Sequence, residues 1–382
     1  MRYYIGLMSG TSLDGVDGVL VAVGGGDTEP DAQQAIAQSG QMRQLAASYV
    51  PFSSDLRASL FALQFSGFDE IHRASQAANQ LVLVYAECVL QLLKNTGLYP
   101  EKITAIGVHG QTVRHRPEYG YTLQINNPSL LAELTDIDVI ADFRSRDISA
   151  GGEGAPLVPA YHRSIFGKQG ETRVVANIGG ISNISILSAD GTTRGFDTGP
   201  GNVLMDAWIM RHKAQTYDFN GDWARHGHVN SALQAHLMDE PFFHKPPPKS
   251  TGRDLFHEEW LNNKLAKFDS LNPVDVQATL CALTAQTLAD AIHLHAGDVQ
   301  HVYICGGGAY NTHLIERLQA ALNVNGKAVS VASTDALGVS PNHVEALAFA
   351  WLASRHVDRL PGNLPEVTGA AGQRVLGALY PR

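Results

Sequence analysis

Two stretches of this chain share one plan, and the duplication constrains the fold more than any other feature. The first runs from Tyr3 to Val23. An apolar run reaches Met8, the turn Ser9-Gly10-Thr11-Ser12-Leu13-Asp14 comes next, and a β-branched run leads from Gly15 to Val23. The second runs from Arg173 to Ile178, turns at Gly179-Gly180 and returns over Ser182 to Leu187. Each reads as strand, tight turn, strand. The elements after each hairpin are also alike. After the first come a strand over Leu45 to Phe52, helical spacing from Ser53 (as N-cap) to Leu93, a strand over Lys102 to His109 and another over Val139 to Phe143. After the second come a strand over Thr193 to Phe196, a helix over Val203 to Lys213, a helix over Val274 to Leu294, a strand over His301 to Cys305, a helix opened by Asn311 and a strand over Ala328 to Ala332. Ser340-Pro341 is expected to start a last helix through Val357.

A repeated order of this kind predicts a duplicated α/β fold. Hairpins make antiparallel pairs and helical crossovers make parallel ones, so each sheet is expected to be mixed. The expected division is a lobe over residues 1–145 and a second over 146–382, the last residues being free to return to the first lobe. Two such lobes would leave a cleft between them, a common place for ligands. At 382 residues the chain is long enough for two full cores. Gly24 to Gln41 reads as a polar, glycine-rich loop, Gly151 to Pro159 as the connection between the halves, and Tyr217 to Pro273 as an insertion of short helices and loops.

Composition narrows the classes of partner. A net charge of −9 argues against a general nucleic-acid binder and against docking on anionic membrane. No uncharged apolar stretch reaches the length of a membrane span, and Gly and Ser interrupt the N-terminal apolar run as a signal peptide would not. Cys88, Cys281 and Cys305 are far apart, match no metal spacing and read as small buried hydrophobes, which suits a cytoplasmic location.

Glycine-rich turns suggest a ligand. Successive backbone N–H groups make an anion-binding concavity, glycine admits a ligand closely, and hydroxyls donate to phosphate oxygens. Gly10-Thr11-Ser12 and Gly179-Gly180-Ile181-Ser182 would grip a phosphate chain, while Gly306-Gly307-Gly308, after a strand and before a helix, leaves a flat surface for a base and ribose. An ordinary turn is the plain alternative at each. Neither a P-loop nor a dinucleotide fingerprint occurs in the right context.

The motifs resemble the sugar kinase, Hsp70 and actin superfamily, and within it the anhydro-N-acetylmuramic acid kinase family. The carrying stretches are IGLMSGTSLDGVD (5–17), GVHGQTVRH (107–115), DVIADFRSRD (138–147), GGEGAPLVPAYH (151–162), NIGGISN (177–183), GFDTGPGNVLMDAW (195–208), KSTGR (249–253), CGGGAYN (305–311) and LPGNLPEVTGA (360–370). The resemblance implies an actin-like ATPase, ribonuclease H-like fold with ATP in the cleft, and a homodimer that acts on a small amino sugar from the cell wall, with no nucleic-acid or membrane partner. The implied reaction phosphorylates O6 of 1,6-anhydro-N-acetylmuramate while water opens the 1,6 bond.

Glycoside hydrolysis ordinarily needs two carboxyl groups. Here phosphorus captures the leaving oxygen, so one carboxylate should suffice, as base for water. Asp197 is the candidate; by position it caps the following helix, serves as base, or both. The expected nucleotide residues are Gly10, Thr11, Ser12, Leu13, Asp14, Gly15, Val16, Asp17, Gly179, Gly180, Ser182, Gly306, Gly307, Gly308 and Asn311. The resemblance puts Glu345 at the sugar, where a solvent-facing helix-start glutamate would also explain it. Asp142 and Arg144 form an ion pair between lobes or act at sugar or phosphate; His109 with Gln111 is a hydrogen-bonded structural group or part of the site. Mg²⁺ is expected for phosphoryl transfer, held through water by Asp14 or Asp17, with no dedicated protein ligand. His226 with His228 and His293 with His295 lack a third ligand. The competing readings are another sugar kinase of the superfamily and an ATP-gated chaperone or filament subunit.

Overall fold

The computed structural model describes residues 1–382 except Thr11, 25–41 and 324–327. Thr11, expected in a phosphate-gripping turn, and nearly all of the loop expected over Gly24 to Gln41 therefore lie outside the described residues.

The chain divides into two compact units, Met1–Ile165 with His343–Arg382, and Phe166–Asn342. In the first unit the strands are β1 (Arg2–Met8), β2 (Gly15–Val23), β3 (Met42–Pro51), β4 (Ile103–Val108), β5 (Gln111–Arg116), β6 (Tyr121–Ile125), β7 (Val139–Ala141) and, from the chain's end, β13 (Ala378–Tyr380). Six of them form a sheet ordered β13-β7-β4-β1-β2-β3. The tight hairpin makes β1 antiparallel to β2, whereas the Glu70–Thr96 helix intervenes before β4 and leaves it parallel to β1. The second unit holds β8 (Arg173–Ile178), β9 (Ile181–Leu187), β10 (Thr193–Pro200), β11 (His301–Cys305) and β12 (Ser330–Ser333), ordered β10-β9-β8-β11-β12. Again the hairpin is antiparallel and the helix-connected strands are parallel. The shared order, third-second-first-fourth-fifth, is the duplication that the sequence implies.

The structure adds to or corrects the sequence reading in several places. The β5–β6 hairpin is not among the elements the sequence predicts. The long helical stretch from Ser53 is two helices: Ser53 does cap the first, Ser54–Ala62, by accepting from Leu56 N–H, and Glu70–Thr96 is separate. The stretch from Tyr217 to Pro273 is made of short helices and loops, as expected, and it also supplies core: Leu233, Leu237, Phe242, Phe256, Trp260 and Leu261 are buried in the second unit around the Pro273–His295 helix. The first unit runs on to Ile165, so Gly151 to Pro159 lies within it and does not connect the halves; the last helix starts at Val344 rather than Ser340 and, with the residues to Arg382, belongs to the first unit.

The reason for this last placement is steric. Along β1, Ile5 and Leu7 enter the core with Leu81, Tyr85 and Leu92 of the Glu70–Thr96 helix. Strand side chains alternate between faces, so Gly6 lies on the other one. A Cβ on Gly6 would collide with the Ala346 carbonyl, and one on Gly107 in β4 with the Phe349 carbonyl. The Val344–Val357 helix, with Ala346, Ala350 and Ala353 on its near side, therefore lies almost backbone to backbone on the sheet. Gly6→Ala is expected to destabilise the protein by about 1–3 kcal/mol through overpacking, read as a lower urea midpoint. A change below about 0.5 kcal/mol would contradict this packing.

Candidate active site

Asp197 lies in β10, which runs on to Pro200 instead of ending at Phe196. Its position in the ladder is irregular. Asp197 pairs with Asn183 and Gly199 with the adjacent Ser182, so Thr198 is an extra residue, a bulge that re-aims the side chain beside it. Asp197 does not cap the Val203–Lys213 helix, whose N-cap position is Asn202. Its support comes from Lys249, Ser250 and Thr251. The Asp197 N–H donates to the Lys249 carbonyl (3.1 Å). Ser250 Oγ (3.1 Å) and Thr251 N–H (2.9 Å) both donate to Oδ2. Among the described residues no donor faces Oδ1, the oxygen left to take a proton. Burial raises this carboxyl to about 6; the Thr251 and Ser250 bonds and the Lys249 charge oppose it. Lys249 itself is fixed elsewhere: Nζ donates to the carbonyls of Phe242 (3.3 Å) and Phe243 (3.1 Å) and sits 4.8 Å above the Phe242 ring.

The second hairpin turn packs on the chain entering the Val203–Lys213 helix. Gly180 O accepts from Gly201 N–H (2.9 Å) and Val203 N–H (3.1 Å), and Gly179 O from Asn202 N–H (2.8 Å). In a trans peptide the N–H points opposite to the carbonyl, so the peptide between Gly179 and Gly180 turns its N–H away from that helix. Ser182 does not present its hydroxyl at this turn. It is fully buried against Gly201 with no hydrogen-bond partner among the described residues. Gly306 and Gly308 have a packing reason: a Cβ on Gly306 would strike the Asn177 side chain and one on Gly308 the Ile178 side chain. Gly307 alone of the three has open space around its missing Cβ, with Asn202 Nδ2 nearest at 4.0 Å. Asn311 is the N-cap of the Thr312–Leu322 helix, accepting from Leu314 N–H (3.0 Å).

In the first unit the β1–β2 turn is braced from beneath. Gly10 O accepts from Leu13 N–H (3.3 Å) and from Gln111 Nε2 (3.2 Å). Ser12 Oγ donates to Asp14 Oδ1 (2.6 Å), and Leu13, at φ 55°, turns a buried side chain inward. Gly15 and Val16 start β2 and are buried. Asp17, one residue further, is half-buried. Burial, then the like charges of Asp14 and Glu345, raise Asp17 to about 7. Glu345 thus lies with the first turn, and burial raises its pKa against the charge of Arg144.

Arg144 is the hub of this half. Its Nε (3.1 Å) and Nη2 (2.9 Å) donate to His109 Nε2, and Nη1 donates to the Gly154 carbonyl (2.8 Å). A ring nitrogen that accepts these bonds carries no proton, so His109 is protonated at Nδ1. Burial and then the Arg144 charge hold His109 well below its usual pKa. Gly154 is fixed in turn by Asp147, fully buried, which accepts from Gly154 N–H (2.8 Å), Asn363 Nδ2 (2.7 Å) and Thr368 Oγ1 (2.8 Å). His109 and Gln111 are therefore supports for Arg144 and for the Gly10 turn. Asp142 is exposed and accepts from Ser145 Oγ (2.6 Å), at the start of the short Ser145–Ile148 helix.

A family model described as anhydro-N-acetylmuramic acid kinase matches residues 2–382. The chain belongs to that family. It is 57% identical over 380 residues to the anhydro-N-acetylmuramic acid kinase of Paraburkholderia xenovorans (strain LB400), covering 99% of this chain and 98% of that one. It is 58% identical over 380 residues to that of Burkholderia cenocepacia, covering 99% and 96%. Among solved structures, the activator of the 2-hydroxyisocaproyl-CoA dehydratase from Clostridium difficile with bound ADPNP is 14% identical, with a TM-score of 0.45 over 94% of this chain and 96% of that one.

In this family member, sequence reasoning names Asp197 as a candidate but misses the Lys249–Thr251 grip on it. The signal is present as KSTGR, a polar motif in a segment that reads as an insertion. Because Asp197 binds a proton more tightly when folded, its contribution to stability is full below the unfolded carboxylate pKa and is lost as pH rises through about 6. Asp197→Asn is expected to melt no lower than the unaltered protein at pH 8, with the difference shrinking toward pH 5. A clearly lower Tm at pH 8 would contradict the reading.

Proposed function

We propose that this protein is an ATP-dependent kinase that phosphorylates O6 of 1,6-anhydro-N-acetylmuramic acid while water opens the anhydro bond, giving N-acetylmuramic acid 6-phosphate and ADP. It would serve cell-wall peptidoglycan recycling and amino-sugar catabolism. Near-full-length family membership supports the reaction. The observation that carries the mechanism is Asp197: one carboxylate, aimed by a bulge, raised to about 6 and, among the described residues, gripped on one oxygen only. A base with a pKa near neutrality accepts a proton efficiently and is still ionised at pH 7.

In the proposed step a lone pair of O6 forms a bond to the γ-phosphorus of ATP, and the bond from that phosphorus to the ADP oxygen breaks with its electrons staying on ADP. The C1–O6 bond breaks with its electrons going to O6. Water forms the new C1–O bond and gives its proton to Asp197, from which it passes to solvent. The phosphoryl group replaces the acid that a glycosidase would use. Backbone N–H groups of the Gly10–Asp17 and Gly179–Ser182 turns hold the phosphates, and Gly306 to Gly308 hold the adenosine, with Gly307 supplying the open surface. Glu345 and Arg144 bind the sugar, with His109 fixing Arg144 and Gln111 fixing Gly10. Asp14 and Asp17 fit a hydrated Mg²⁺, since their charges oppose one another without a cation; bound there, it would neutralise charge on the β and γ phosphates. Three free, buried cysteines support a reducing, cytoplasmic location, and the family resemblance supports a homodimer. Among the described residues no helix is long and apolar enough to cross a membrane.

Incubation with 1,6-anhydro-N-acetylmuramate and ATP is expected to give a product heavier by one phosphoryl group (HPO3) and one water. Asp197→Asn should bind both substrates yet lose about 10²–10⁴-fold in turnover, the usual worth of a general base. In the unaltered protein, activity should fall as pH drops below about 6, where Asp197 protonates. Full turnover by Asp197→Asn would remove it from this role.

A further inference from the structure

KSTGR does more than hold Asp197. Two residues beyond Thr251, exposed Arg253 lies against the second hairpin turn: a Cβ placed on Gly180 would sit 3.6 Å from its Nη2. This is the same Gly180 whose carbonyl is turned inward to Gly201 and Val203. The charge of Arg253 also acts on Asp206, half-buried in the first turn of the Val203–Lys213 helix that braces the hairpin. Lys249 of the same motif donates to the Phe242 and Phe243 carbonyls. One five-residue stretch therefore joins the carboxylate proposed as base to a guanidinium on the turn proposed to hold phosphate.

Phosphoryl transfer spreads negative charge over the three equatorial oxygens of the moving group, and a guanidinium meets such oxygens with paired N–H donors in a fixed plane. We infer that Arg253 is a further catalytic residue, contacting the γ-phosphoryl oxygens as phosphorus passes from ADP to O6. This rests on the proposed function. Arg253 exchanges no proton in the step; it neutralises charge while phosphorus changes partners.

The test is steady-state kinetics of the full chain with Arg253→Ala and Arg253→Lys. Arg253→Ala is expected to lose about 10³-fold in kcat, the scale of an arginine supplied to a transferring phosphoryl group, with little change in KM for the sugar. Lysine, which keeps charge but not the planar fork, should fall between. Two readouts separate chemistry from mere structure. Added guanidine at millimolar concentration should partly restore Arg253→Ala but not Asp197→Asn. The ratio of rates with ATP and with its γ-thio analogue should shrink in Arg253→Ala, because the contact that senses the substituted oxygen is gone. An Arg253→Ala enzyme that keeps nearly full kcat, or that loses rate without rescue and with an unchanged thio ratio, overturns the assignment alone. Absence of any ATP-dependent sugar conversion by the unaltered protein overturns the proposed function and this assignment with it.

Discussion

The near contact of the Val344–Val357 helix with the first sheet, made possible by Gly6 and Gly107, fixes much of the first unit. Side chains at those positions would push the helix outward, and Glu345, in its first turn, would move with it. The same helix presents Phe349 to the His109 ring (centroids 4.8 Å apart), so the imidazole that holds Arg144 is itself packed by the helix that carries Glu345. The chain's end adds a second brace. Asn363 and Thr368 bind buried Asp147, Asp147 holds Gly154, and the Gly154 carbonyl receives Arg144. Two glycines in strands and one buried carboxylate thus decide where the ionic groups of this unit stand.

In the second unit the base role proposed for Asp197 poses a different problem. A base must be ionised at neutral pH and still hold a proton when it takes one. Burial alone would push Asp197 too high, and full hydrogen bonding of both oxygens would pull it too low. Two donors on Oδ2, with Lys249 near but spent on backbone carbonyls, leave it near 6. This arrangement costs stability when the carboxylate is charged, as sites shaped by chemistry commonly do.

Much of the fold is legible in the sequence because its signals are local. Hairpin turns rich in glycine, and helices that begin after capping residues such as Ser53 and Asn311, announce themselves within a few residues. The strand order then depends on which pairs are joined by turns and which by helices. The hidden part depends on contacts between distant residues. Nothing near Asp197 foretells that Ser250 and Thr251, over fifty positions on, will grip it, and a bulge at Thr198 leaves no mark on composition. Gly6 and Gly107 look like weak strand residues until the helix against them is seen. The β5–β6 hairpin escapes notice because polar residues such as Arg114, His115 and Gln124 interrupt its short strands. For His109 and Gln111, where the sequence leaves a structural role and a site role open, the partners observed, Arg144 and the Gly10 carbonyl, are set by contacts between distant residues.

The central claim is that one carboxylate suffices because phosphorus takes the leaving oxygen while water attacks carbon. Turnover in ¹⁸O-labelled water, stopped early and read by mass spectrometry of product fragments, tests it most directly. One ¹⁸O is predicted at C1 of the sugar phosphate and none in the phosphoryl group. Phosphoryl transfer without label at C1, or label in phosphate, would contradict it.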